Sequence, residues 1–558
     1  MDPPDAKEQT SRASLVHLPL EILQLILSEL PNYDLKGLRA TCIHLSRVVE
    51  LRFSRVFLSA SPRDVNVFRA VADHEQFRKN IVEIVYDDAR FAHEMHSTDR
   101  NYYIHDDTAF RHYKRQEYQE LGDPSASGIP AWYRRIYRYN SFTIDQYGRE
   151  DVKRLHHYEV IKRFKIRTNV TESYRLYQML LREQDQVIDT NSDEEALQYG
   201  LERFPNLQRV TITLAAHGSP LRPLYETPMI RSLPRGFIYP LPRGWPVAKD
   251  HDNTPEAEPW AGDGEGQWRG FHLVTRVVAR FGLEHPAARL CEFVIDTNDL
   301  LTGIDCRIFE EGDGVVYNDL VDILSRPGFS RIELALFING QDATRWQTFR
   351  SGHLRRALQA APGLESIRLA TNLGNDEDFN LWDMGDNDVQ FIPLRNIFPV
   401  DTWSHLRDFG LFRVIVKQGD LIDLLLALSP TLQTVELSFL VFLEQGSHEG
   451  LLEDMRSTLG WRERSPEKRP RLTIHARQQN QMPAMHNRVS REAEDFLYGE
   501  GKNPFHQCNI ELGTGTTVDT FDPYYERPHV SYTQLTVMGY RAKDDWWMKH
   551  HEGKPETW

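Results

Sequence analysis

Apolar positions along this chain follow two different rhythms. Between Leu18 and Val56 the rhythm is helical and unusually dense. Leu20, Ile22, Leu23, Leu25, Ile26, Leu27 and Leu30 are seven of the eleven positions in the first predicted helix, where one core-facing stripe needs only three or four per two turns. Pro19 suits the first turn of that helix, Pro31 ends it, and Asp34 is placed to cap the next. The second helix is expected to set Leu35, Leu38, Cys42 and Leu45 on one packed face. A three-helix unit of about forty residues cannot cover that much apolar surface by itself. The predicted cover is a partner protein.

From about residue 194 the rhythm changes to a unit of amphipathic helix, proline and short alternating strand, the strand reading L-x-x-[IVF]-x-[IL]. Four copies are clear: helix 194–204, Pro205, strand 207–212; helix 318–326, Pro327, strand 329–334; helix 353–361, Pro362, strand 364–369; and helix 420–429, Pro430, strand 432–437. Looser strands are expected at 290–295 and 406–411, with a last one at 472–474. The proline ends the helix, and the alternation turns one face of the strand inward. One helix and one strand cannot bury themselves, so neighbouring units must stack, joined by right-handed crossovers. The predicted fold class is mixed, α/β or α+β: an N-terminal three-helix unit followed by an irregular array of helix–strand units around a parallel sheet. A non-repetitive α/β domain with the same punctuation is the competing reading.

Around this array the chain divides as follows: a disordered tail at 1–13, the helical unit at 14–58, a linking region at 59–190, the array at 191–480 and a cap at 481–558. The linking region is expected to hold helices at 64–74, 108–121 and 172–185 and a strand at 80–86. An insertion at 215–268 carries nine prolines and is expected to be a partly extended, mobile excursion. Residues 372–393 and 444–470 read as further excursions. Phe505, Phe521, Tyr524, Tyr525, Tyr540, Trp546 and Trp547 are expected to pack on the end of the array.

Composition narrows the function classes. At 558 residues the chain has room for two to four domains, and 40% hydrophobic with 26% charged residues describes a globular protein. A net charge of −15 disfavours a general nucleic-acid or anionic-membrane binder. No run approaches a membrane span. The four cysteines, Cys42, Cys291, Cys306 and Cys508, are scattered, which argues against a disulfide framework and places the protein in cytoplasm or nucleus.

Chemistry is not legible. Asp376 to Asn387 begins like a calcium loop but puts Leu381 where the turn glycine belongs. Gly262-x-Gly264-x-Gly266 precedes no phosphate-binding lysine. The histidine pairs lack partner ligands at metal spacing. Cys42, on a packed helix face, is expected to be an inert small hydrophobe. No catalytic residue, metal or cofactor is predicted. Trp132-Tyr-Arg-Arg-Ile-Tyr-Arg-Tyr139 is the one basic aromatic patch that would suit nucleic acid, against a plain helix face with buried aromatics. Arg231 to Trp245 would suit a proline-rich ligand, against a plain loop.

The N-terminal stretch resembles an F-box: Leu18-Pro19-x-Glu21-Ile22, Ile26, Leu30, Asp34-Leu35, Leu38, Cys42 and Leu45 stand at the family's spacing. Many members carry a Trp near the end of the third helix, where Phe53 stands here. The run from Phe53 to Phe91 is similar to fungal F-box proteins, and the array resembles the degenerate leucine-rich repeats common behind F-boxes. The resemblance implies docking onto the Skp-type adaptor, and through it the cullin, of a ubiquitin ligase. The adaptor-binding residues it implies are Leu18, Pro19, Ile22, Ile26, Leu30, Leu35, Leu38, Cys42, Leu45 and Phe53. It implies a non-catalytic substrate receptor whose array binds an unknown protein; a scaffold that binds without promoting ubiquitination uses the same surfaces.

Overall fold

The alternating strands assemble as their apolar faces require. In a computed structural model they form a ten-stranded sheet in which every neighbouring pair is parallel. The strands are β1 (Arg55–Ser59), β2 (Glu83–Asp87), β3 (Arg209–Thr213), β4 (Glu292–Asp296), β5 (Ile304–Asp305), β6 (Arg331–Phe337), β7 (Ser366–Thr371) and β8 (Asp408–Phe412), then β10 (Thr434–Ser438) and β12 (Arg471–Thr473). Their spatial order follows the sequence, with β5 pairing only the end of β6. Two short strands, β9 (Ile415–Lys417) and β11 (Val441–Leu443), make a second parallel pair. The described residues are 15–30, 32–94, 128–150, 166–246, 263–298, 300–338, 340–341, 344–373, 391–428, 430–477, 485–506, 514–520 and 522–528.

One face of the sheet is sealed by helices. Val56, Ile84, Val210, Phe293, Ile332, Ile367, Phe409, Val435 and Leu472 stack in register across it, each 4% exposed or less. Helices Pro62–Asp73, Ser192–Leu201, Arg269–Glu284, Val315–Leu324, His353–Gln359 and Gln418–Leu428 bury their apolar stripes in the same core. The prolines at 205, 327, 362 and 430 sit exposed in the turns that feed the strands. Several strands also end alike. Asp87, Thr213, Asp296 and Thr371 accept a hydrogen bond from the backbone N–H two residues on, at 3.0, 3.0, 2.9 and 3.2 Å, which bends the chain out of the sheet.

The α/β class with a large parallel sheet is what the alternation predicts, but four expectations need correction. The sheet starts with β1 and β2, ahead of residue 191, and β1 overlaps the end of the predicted N-terminal unit. Residues 215–246 are no mobile excursion: Phe237, Ile238 and Trp245 are each 2% exposed, and the segment packs as a strap against the first strands and against helices Ala131–Glu150 and Val170–Thr190. The stretch 444–470 contains helix His448–Thr458, with Leu451, Leu452 and Met455 buried. Asp34 lies inside the first turn of its helix rather than before it. After β12 come β13 (His475–Arg477), β14 (Met485–Arg488), β15 (Thr516–Asp519) and β16 (Asp522–Pro528), an antiparallel sheet. Phe505 there is 2% exposed and stacks on His448 at 5.0 Å. Tyr524 and Tyr525 lie in β16. The predicted tail at 1–13, the helix at 108–121, the loop at 376–387, Gly262, Cys508, Phe521, Tyr540, Trp546 and Trp547 lie outside the described residues, and Gly264 and Gly266 fall in the 3₁₀ turn Asp263–Trp268.

Candidate docking surface

The N-terminal helices are α1 (Leu20–Glu29), α2 (Asn32–Arg39) and α3 (Ile43–Val48), preceded by the short turn Leu15–His17. Leu23, Leu27, Leu35, Leu45 and Val49 form a small core of their own, sharing no residue with the sheet's core. Leu18, Leu30 and Leu38 lean half-buried against it. The rest of the apolar surface on α1 is left over: Leu20 is 51% exposed, Ile22 47%, Leu25 66% and Ile26 36%, with Ile43 of α3 at 72%. At about 100° per residue, Ile22, Leu25 and Ile26 adjoin one another on one side of α1, and Leu20 stands on the opposite flank of the buried stripe. Seven of the thirteen large exposed hydrophobics among the described residues fall between Leu15 and Ile43, so the excess is local to this unit.

The ten residues implied by the family resemblance therefore fall into three groups. Pro19, Ile22, Ile26 and Cys42 face solvent; Leu18, Leu30, Leu38 and Phe53 are half-buried; Leu35 and Leu45 are internal, at 1% and 4% exposed. The last two hold the unit together and offer no contact surface. Phe53 belongs to the other side of the junction, edge-on to Phe77 at 4.9 Å. Cys42 is also not where helical periodicity put it. The second helix stops at Arg39, and Cys42 is an exposed cap of α3 whose Sγ accepts from the Leu45 N–H at 3.5 Å. Leu20, Leu25 and Ile43 were missing from that set, although the density of apolar residues on α1 was a signal for the first two.

Arg52 ties this unit together. Its guanidinium donates to the last carbonyls of α1, those of Ser28 at 2.6 Å, Leu27 at 3.2 Å and Leu30. Carbonyls at a helix end lack the regular intrahelical donor; that of Leu27 also accepts from the Leu30 N–H at 3.2 Å. The Arg52 N–H donates in turn to Asn32 Oδ1 at 2.9 Å, and Asn32 Nδ2 donates to the Arg52 carbonyl.

A second surface lies on the sheet face away from the helices. Arg55, Glu83, Arg209, Glu292 and Arg331 stand in one cross-strand row of alternating sign, with Arg55–Glu83 at 2.7 Å and Arg209–Glu292 at 2.6 Å. Further along, Arg368 reaches across Gly410 to Glu436 at 2.8 Å. A Cβ on Gly410 would stand 3.1 Å from the Arg368 Cγ. The strap covers the first four strands of this face. Tyr225 lies beside Phe57, with ring centroids 5.9 Å apart, under the Arg55 guanidinium, and its hydroxyl donates to Asp296 at 2.7 Å.

Buried carboxylates hold the strap down. Asp88 accepts from Trp245 Nε1 at 2.6 Å and from the Gly270 N–H at 3.0 Å; a Cβ on Gly270 would meet the Asp88 carboxyl at 2.4 Å. Asp64 accepts from Ser59 at 2.6 Å and from the Met229 N–H at 2.8 Å. Burial outweighs these donors and pushes Asp64 up to about 6. Asp87, buried and near Asp64 and Asp88, is pushed well above the carboxylate range. Buried carboxylates at a strand end need a site geometry before they suggest catalysis, and the partners named here, Ser59 of β1, Met229 and Trp245 of the strap and Gly270 at the start of its helix, are groups of the surrounding fold.

The other candidates resolve on burial. Trp132, Tyr133, Ile136 and Tyr139 are core residues, so these rings are not free to stack on bases. Phe237 to Trp245 is likewise packed, which removes the proline-rich-ligand reading. Burial raises the thiol pKa of Cys291 and, more strongly, of Cys306, the reverse of an activated thiolate. An apolar pocket between Trp346, Phe349 and Ile397 encloses about 30 Å³, an order of magnitude below small-molecule sites of roughly 300–1,000 Å³. Among the described residues no group of three or more His, Cys, Asp and Glu is arranged to hold a metal, and no helix is long and apolar enough to cross a membrane. In comparisons with known proteins, no family model and no curated protein matches the chain.

Proposed function

We propose that this chain is a non-catalytic substrate-receptor subunit of a Skp–cullin–F-box ubiquitin ligase. The observation that carries the reading is the uncovered apolar surface of α1, where Leu20, Ile22, Leu25 and Ile26 are each at least 36% exposed. Those residues sit within a stretch spaced like an F-box, and the array behind it resembles irregular leucine-rich repeats. The adaptor covers Ile22, Leu25 and Ile26; the array binds a protein substrate; the subunit contributes proximity rather than bond chemistry.

The test is co-purification of the full chain with a Skp-type adaptor, comparing wild type with Leu18→Ala/Pro19→Ala and with Ile26→Asp. Recovery is expected to fall for both variants, and equal recovery from all three sinks the adaptor reading. Deleting residues 14–58 is then expected to lengthen the half-life of array-bound partners. If no partner is stabilised although the adaptor binds, the chain is a scaffold and not a degradation receptor.

A further inference from the structure

We propose that Ser465 is a phosphorylation site for a proline-directed serine/threonine kinase. This goes beyond the adaptor reading and does not depend on it. Six Ser-Pro or Thr-Pro pairs occur in the chain, at Ser61, Ser219, Thr227, Thr254, Ser429 and Ser465. Only two have a basic residue three positions after the acceptor: Ser219 with Arg222, and Ser465 with Lys468. Sequence alone ranks these two equally, and burial separates them. Ser219 is 1% exposed, inside the strap, whereas Ser465, Pro466, Glu467 and Lys468 are all exposed.

Backbone shape agrees. A kinase cleft takes its acceptor in an extended conformation, and a following proline biases a residue that way. Ser465 is already there, with φ −60° and ψ 145°. Pro466–Lys468 is a single 3₁₀ turn, closed by the Lys468 N–H to the Ser465 carbonyl at 2.8 Å. One such turn opens at little cost. In the transfer, Ser465 Oγ attacks the γ-phosphorus of a nucleoside triphosphate and the bond to the bridging oxygen breaks. The nucleoside diphosphate leaves, and the hydroxyl proton passes to the kinase's carboxylate base.

The product also has a place to go. From Arg462 to Arg471 the loop carries five basic and two acidic side chains, a setting that accepts a dianion with new charge-assisted hydrogen bonds. Arg462 now pairs with Glu500 at 2.5 Å and so ties the loop to the turn that follows helix Ser490–Tyr498. A phosphate on Ser465 competes for that guanidinium, so modification acts on the packing at the last parallel strand.

The full chain, incubated with a cyclin-dependent-type proline-directed kinase and labelled ATP, is expected to carry the label on Ser465 by peptide mapping. Ser465→Ala loses that label and Pro466→Ala sharply weakens it. Ser219 stays unlabelled in the native chain, although synthetic peptides 216–225 and 462–471 are both substrates. An unlabelled Ser465 in the native chain, a Pro466→Ala chain labelled like wild type, or native Ser219 labelled as strongly as Ser465 overturns the proposal.

Discussion

If the exposed side of α1 is a docking face, changing it must cost binding and spare folding. The paired substitution Ile22→Asp/Leu25→Asp is the sharpest version. These side chains are 47% and 66% exposed, so together they leave roughly one complete aliphatic side chain in water, worth about 1.5–3 kcal/mol when a partner covers it. Two carboxylates placed in that interface add desolvation, so affinity is expected to fall about a hundredfold or more. Folding should move by no more than about 0.5 kcal/mol, as for ordinary surface changes. Leu27→Ala is the opposite control. Leu27 is 8% exposed in a core of five buried side chains, and its loss is expected to cost about 2–5 kcal/mol and to loosen the whole unit. Calorimetric titration of each full chain with purified adaptor, beside thermal melts, separates the two. A double-Asp chain that binds like wild type, or that melts like Leu27→Ala, refutes the reasoning.

Three further outcomes follow from the packing. Asp64 has its pKa raised from the ordinary 3.8 to about 6, so its contribution to stability is fully present below pH 4 and is lost as pH rises through 6. The loss amounts to about 3 kcal/mol. Asp64→Asn should then unfold at higher urea than wild type at pH 8 and not at pH 4, and parallel pH profiles for the two chains would contradict this. Arg52→Ala removes the guanidinium bonds to the Leu27, Ser28 and Leu30 carbonyls at the end of α1 and should speed amide exchange in the last turn of α1. Arg52→Lys should restore only part of the protection, because an ammonium lacks the planar fork. Trp245→Phe removes one of the donors to buried Asp88 and should cost about 1–3 kcal/mol, read as faster exchange across 215–246; unchanged exchange there would show that the strap is held elsewhere.

The array was legible where its units kept their punctuation. Leu207, Phe329, Leu364 and Leu432 lead strands whose core-facing side chains are buried as their spacing predicts. Of the first two strands, β1 is not predicted from the sequence and β2 is predicted only as an isolated strand at 80–86, because both carry the unit's spacing in different residues. Phe53-x-x-Val56-x-Leu58 and Ile81-x-x-Ile84-x-Tyr86 are both copies of the pattern, but neither starts with leucine and neither follows a proline. Volume and apolarity decide the inward row, not leucine as such. At the N-terminus, apolar density announced a surplus, but a helical period run through the turn at Ala40–Thr41 put Cys42 on the wrong face.

The strap is buried despite its prolines, and for a physical reason. Density of proline suggests an extended, mobile excursion, yet proline has no N–H to leave unpaired. An extended segment rich in proline is therefore cheaper to bury than any other extended segment. Phe237, Tyr239, Leu241, Arg243 and Trp245 fall on every second residue and are all buried, and so are Ile238, Pro240 and Pro242 between them. This changes where the array can meet a partner. With Tyr225 seated across β1 to β4, the part of the sheet face that the described residues leave open runs from β6 to β12, where Arg331, Glu333, Arg368 and Glu436 keep 16–37% of their side chains exposed. These charges already satisfy one another, so a ligand there has to replace existing ion pairs with bonds of equal quality. Such a surface adds little raw affinity and discriminates strongly against poorly matched partners.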